Sequence, residues 1–304
     1  MTPPADRFRN SGYGAGAAAA PAIVDALQGA LTLHSQGRFQ EALEVLSGLP
    51  DLPTDAYVLR GDVQVELGQF TEAAGSYYTA LVLAPANLYA RSHLASCLRR
   101  LGRLEEAVEA LRPVLHADPH RDPIRLELGD CLLRLNRLEP ALECFDQCWS
   151  DGAQRRALFG KGVALQLLRR FDEAEIAYER VLALDGKAEE ALANLVSMSM
   201  EVFDLERVLR YSRRLVDINP RSVPGLQGLT LVAVERGDMD TAARHFSMLA
   251  QVAPDSLRPS KEASEDVIEY RVTRKAIDQI KESLIKESMR GSAGPWAGQS
   301  AARR

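Results

Sequence analysis

The chain has 304 residues, 46% hydrophobic and 26% charged, enough apolar mass for a sizeable core and ordinary for a globular protein. Its 37 basic and 42 acidic residues leave a formal charge of −5, too balanced for a nucleic-acid or membrane-surface binder. No stretch approaches the roughly 18 consecutive apolar residues of a membrane span, and abundant alanine and leucine favour helices over sheets.

Residues 1–21 form a Gly/Ala-rich leader. Arg7 and Arg9 precede an uncharged stretch centred on Ala17–Ala20, which lacks the leucine-like residues of a secretory signal. The composition predicts a flexible segment.

From residue 22 to 256 a punctuation signal recurs: a small residue, a polar one, a large apolar one, two more, then alanine. It reads Gly37-Arg38-Phe39…Ala42, Gly68-Gln69-Phe70…Ala73, Gly102-Arg103-Leu104…Ala107 and Asn136-Arg137-Leu138…Ala141. Further on it reads Arg169-Arg170-Phe171…Ala174, Phe203-Asp204-Leu205…Val208 and Gly237-Asp238-Met239…Ala242. Successive marks stand 31, 34, 34, 33, 34 and 34 residues apart. Before and after each mark, side chains that would share a helix face recur three, four and seven apart, predicting two helices per repeat. Glycine or asparagine at the mark permits the left-handed backbone that ends a helix. Pro85, Pro119, Pro220 and Pro254 stop the second helices, with Gly186 in the equivalent place of another repeat.

Small residues in the first helix (Ala30, Gly61, Ala95, Gly129, Gly162) and the second-helix alanine would let paired helices approach closely. A large residue, as at Leu46, Tyr77, Leu111, Phe145 and Tyr178, would fill the space beside them. The sixth repeat departs most, with Val196, Val208 and Ser212 in these slots, and is expected to be the soft joint.

Beyond the repeats, residues 257–290 predict a long helix with Ile268, Val272, Ala276, Ile280 and Leu284 spaced by four. It would cap the last repeat or make a homodimer. Residues 291–304 read as a flexible tail carrying Trp296.

The seven marks and their slots resemble the tetratricopeptide repeat family. That resemblance implies an all-α fold, a right-handed α-solenoid of about seven helix-turn-helix repeats. It also implies that first helices line a concave groove holding a partner segment. Carried over slot by slot, the groove residues are Val58, Asp62, Ser92, Ser96, Arg99, Arg100, Leu126, Asp130, Leu133, Arg134, Phe159, Val163, Gln166 and Leu167. Some family members grip a C-terminal carboxylate with lysines and asparagines in these slots. Val58, Asp62, Ser92, Ser96, Leu126 and Asp130 occupy them here, so that clamp is absent. An apolar middle flanked by arginines predicts an amphipathic helix or extended segment with some acidic residues as guest, unless the chain's own capping helix or tail fills the groove.

Chemistry has no foothold in the pattern. His116 and His120 are separated by Pro119, so they need not share a face, and only Asp118 stands nearby. Cys97, Cys131, Cys144 and Cys148 fall at packing positions and read as reduced thiols of a cytoplasmic protein. Neither a phosphate loop nor a nucleophile-base set is present. The expectation is a protein-binding scaffold or adaptor without catalysis or cofactor, with no nucleic-acid partner and no membrane insertion. The alternative is a chaperone or assembly factor for a secreted or membrane-complex subunit.

Overall fold

The computed structural model describes residues 21–49, 52–148 and 150–253. The expected leader up to residue 20, capping helix 257–290 and tail 291–304 lie outside the described residues. Among those described, every regular element is a helix. They are α1 (Pro21–Ser35), α2 (Phe39–Ser47), α3 (Thr54–Glu66), α4 (Phe70–Leu83), α5 (Leu88–Arg100), α6 (Leu104–Ala117) and α7 (Asp122–Arg134). There follow α8 (Leu138–Asp146), α9 (Asp151–Leu167), α10 (Phe171–Leu184), α11 (Glu189–Glu201), α12 (Leu205–Ile218), α13 (Val223–Glu235) and α14 (Met239–Val252).

The recurring marks become the turns between paired helices. Gly37, Gly68, Gly102 and Gly237 have φ between 74° and 77°. Asn136, Arg169 and Phe203 adopt the same left-handed conformation at 56°, 60° and 57°. After α5 the Arg103 N–H donates to the Leu98 carbonyl at 2.9 Å, a six-to-one bond that satisfies a helix-end carbonyl. Several helices start on a side-chain cap: Asn87, Asp204 and Asp238 accept from the backbone N–H three residues on. Pro85, Pro119 and Pro220 each stand two residues beyond the end of α4, α6 and α12.

Two compact units divide the chain between Ala164 and Leu165. In the first, α1/α2, α3/α4, α5/α6 and α7/α8 pack as hairpins, and the first three each lean on the helix that follows. Ala42, Ala73, Ala107 and Ala141 are buried beside Leu46, Tyr77, Leu111 and Phe145. At Gly61 an added Cβ would lie 2.7 Å from the Tyr77 ring, so the small-residue slot is a true backbone approach. The Phe145 ring is approached closely by two glycines: a Cβ at Gly129 would meet it at 2.6 Å and one at Gly160 at 2.5 Å.

In the second unit, α11/α12 and α13/α14 form hairpins, with α10 packed on α11 and α12 on α13. The irregular slots of the sixth repeat compensate one another. Val196, Val208 and Ser212 are all fully buried. The close approach moves to the next helix, where a Cβ on Gly228 would stand 2.1 Å from Ser212 Oγ and 3.1 Å from Val208. These slots are occupied, with Ser212 Oγ left buried and without a hydrogen-bond partner; the division between compact units falls after Ala164.

Candidate partner-binding face

Side chains on the first helices of the first unit form a series of bridges from one repeat to the next. Asp62 of α3 accepts from the Tyr77 hydroxyl at 2.5 Å and from Tyr89 of α5 at 3.1 Å. The Tyr89 ring lies 4.1 Å from His93. Arg99 of α5 donates through Nε to Glu127 of α7 at 3.1 Å, and Arg134 reaches back to the Arg99 carbonyl at 3.4 Å. Asp130 of α7 accepts from Arg156 of α9 at 2.9 Å. Burial pushes the Asp130 carboxyl above the ordinary aspartate range, opposed by Arg156 and then by Arg99 and Arg134. Desolvation raises the Tyr77 hydroxyl too, with Asp62 reinforcing it, so Tyr77 serves as a donor.

The expected groove residues separate into three groups. Val58, Ser92 and Leu126 are buried; Leu126, 3% exposed, belongs to the core shared by Leu128, Cys131 and Leu132 and is not an open anchor. The reason is geometric: α7 is flanked by α6, α8 and α5, so more than one of its stripes faces inward. Asp62, Arg99, Asp130 and Arg134 are bridging groups. Arg100 turns away to lie over the Phe70 ring of α4, 4.8 Å from its centre. Ser96, Leu133, Phe159 and Val163 remain half-buried. In the second unit, Gln166 accepts from the Tyr178 hydroxyl at 3.0 Å, Asn194 donates to that same oxygen at 3.0 Å, and Leu167 is exposed.

A charged cluster escaped the sequence reading. On α10 of the second unit, Glu175 accepts from Arg207 at 3.0 Å, Arg210 at 2.8 Å and the Tyr211 hydroxyl at 2.5 Å, while Glu179 pairs with Arg214 at 3.2 Å. The signal was available as carboxylates at 172, 175 and 179 and arginines at 207, 210 and 214, matching three- and four-residue spacings on two helices.

The thiols are held protonated at neutral pH. Cys97, Cys131, Cys144 and Cys148 are free, and burial pushes each up to about 11. Among the described residues no group of three or more His, Cys, Asp or Glu could hold a metal ion, and His116 and His120 are exposed. Nor is any described helix long and apolar enough to cross a membrane.

Helical hairpins stacked through small-residue contacts place the fold in the α-solenoid class. Three patterns described as tetratricopeptide repeat match residues 58–122, 98–161 and 156–187. Residues 58–187 thus match tetratricopeptide repeats. Solved structures agree on the fold. The C-terminal part of a TPR repeat-containing protein from Cytophaga hutchinsonii is 14% identical, with a TM-score of 0.65 over 83% of this chain and 98% of that one. A tetratricopeptide repeat protein from Parabacteroides merdae is 16% identical, with a TM-score of 0.57 over 84% and 100%. PilF of Pseudomonas aeruginosa is 18% identical, with a TM-score of 0.56 over 73% and 96%. No curated protein matches the chain significantly.

Proposed function

We propose that this protein is a scaffold or adaptor that holds a segment of another protein along the first-helix face of its first unit. The observation that carries this reading is the set of half-exposed guanidiniums fixed there by neighbouring repeats. Arg99 and Arg156 are each oriented by a carboxylate, at 3.1 and 2.9 Å, while Arg134 stands exposed beside them. A guanidinium has five N–H donors and these bridges use one or two, so preorganised donors remain for a guest's carboxylates or backbone carbonyls. Leu133, Phe159 and Val163 offer apolar contact alongside. The guest is accordingly an acidic segment with a few apolar anchors.

Photo-crosslinking in cells tests this. A crosslinker at Ser96 or Val163 should capture a partner, one at the exposed second-helix residue Glu109 should not, and Arg134→Glu with Phe159→Glu should abolish capture while the helical fold persists. Equal capture from Glu109, or capture indifferent to the two substitutions, overturns the assignment.

A further inference from the structure

Among the described second helices, α4 exposes large apolar residues one turn apart, whereas α10 exposes Ile176 and Leu184 two turns apart. Tyr78 and Val82, one turn apart, are each 64% exposed, and Leu83 beside them is 55% exposed. Gly75 completes the stripe in the middle of the helix, with nothing within 4 Å of where its Cβ would stand. A glycine inside a helix is costly, and no contact among the described residues requires one there. The Thr79 hydroxyl returns to the Gly75 carbonyl at 2.9 Å, so its polar group is satisfied internally.

The repeats supply their own control. Counted from the second-helix alanine or valine, the position of Gly75 is held by Glu44, Glu109, Glu143, Arg210 and Arg244, with Ile176 as the one other uncharged residue. The position of Tyr78 is held by Arg112, Asp146 and Arg213 in three of the other repeats, all exposed. Ordinary outer faces in this protein are charged, and that of α4 carries only Glu72.

We propose that this face of α4 is a homodimer interface, on which α4 of a second copy packs antiparallel about a two-fold axis. An isologous contact needs a surface complementary to itself. Here the notch at Gly75 and the knob at Tyr78 lie three residues apart on one stripe, so each copy's tyrosine enters the other's notch while Val82 closes over Thr71. Charge fits the same arrangement. The antiparallel register brings Glu72 of one copy towards the end of α4 in the other, where Arg91 is held by the Pro85 carbonyl at 2.7 Å. Among the described residues neither Glu72 nor Arg91 forms an ion pair, so two reciprocal pairs become available.

Sedimentation equilibrium or light scattering on the full chain decides it. Wild type should show twice the 33.4 kDa chain mass at high concentration. Gly75→Glu with Tyr78→Arg, which installs the charges other repeats carry, should give monomer with an unchanged helical spectrum and melting temperature. Glu72→Arg should weaken the dimer at least tenfold, and Arg91→Glu added to it should restore the dimer. A wild-type chain that stays monomeric throughout, as it would if the face served a different protein, refutes the proposal. A dimer indifferent to Gly75→Glu with Tyr78→Arg refutes it equally.

Discussion

The Gly129→Ala substitution sets two known effects against each other, and the packing around Phe145 decides which wins. Alanine is the better helix former, so at an open site the change should stabilise by about 1 kcal/mol. At Gly129 the new Cβ would stand 2.6 Å from Phe145 Cε1, 2.9 Å from Cζ and 3.1 Å from Cδ1. Carbon atoms prefer about 3.5–4.0 Å, so the ring would have to retreat by nearly 1 Å. Its freedom to move is limited, because Gly160 of α9 also approaches the ring, with the Cβ position there 2.5 Å from Cζ. Overpacking of this kind costs about 1–3 kcal/mol, and the upper end applies where a second helix also crowds the ring. The net expectation is a loss of about 1–2 kcal/mol, the difference between that cost and the helix-propensity gain. Gly29→Ala in α1 is the control, since nothing lies within 4 Å of its Cβ position, and it should stabilise.

Urea unfolding followed by far-ultraviolet circular dichroism gives the midpoints. Because hairpin arrays can unfold in segments, hydrogen exchange across α7–α9 should show the loss concentrated there. In a Phe145→Leu background the alanine should become neutral or favourable, giving a coupling of about 1–2 kcal/mol between the two sites. A Gly129→Ala protein as stable as wild type would refute the claim that helix approach is limited by this ring.

Phe203 is 43% exposed and holds φ at 57°, so Phe203→Gly should relieve strain and raise stability by about 1 kcal/mol, read as a higher urea midpoint. Glu175→Ala should remove the acceptor of Arg210 and of the buried Tyr211 hydroxyl, while Arg207 keeps Asp204 and Asp172; with the arginines partly exposed, solvent screening limits the loss to about 1–2 kcal/mol. Glu175→Gln keeps an acceptor and should lose less, so equal losses would show that Tyr211 does not depend on that oxygen. Burial lowers the His34 imidazole below its ordinary 6.5, opposed by Glu66, and leaves Nε2 unpartnered. As pH falls below about 6.5 the unfolded chain takes up the proton first, so stability declines until the pH passes below the folded value. His245 is lowered in the same direction, chiefly by burial. Thermal melts between pH 7 and pH 5 should show this decline, and His34→Leu should make it shallower; an unchanged slope would remove His34 from the account.

The amino-acid sequence by itself determined the repeat register, the helix pairs and the turns. Those depend on local chemistry repeated every 34 or so residues: glycine or asparagine at the left-handed turn, proline after the second helix, small residues where two axes cross. Even the turns at Arg169 and Phe203, which lack glycine, were marked by position, and the structure gives both the left-handed backbone. The tertiary structure alone decided which side chains of a first helix remain accessible. Leu126 and Leu133 lie seven residues apart on one helix and read alike, yet one is core and the other half-buried, because helices pressed by neighbours on several sides bury more than one stripe. It decided too that Arg99, Asp130 and Arg156 are tied between repeats, that Gly160 as well as Gly129 crowds Phe145, and that Gly228 makes room beside Ser212. Each of these joins residues from helices that pack through space, and a helical period records which way a side chain faces on its own helix but not what arrives to meet it.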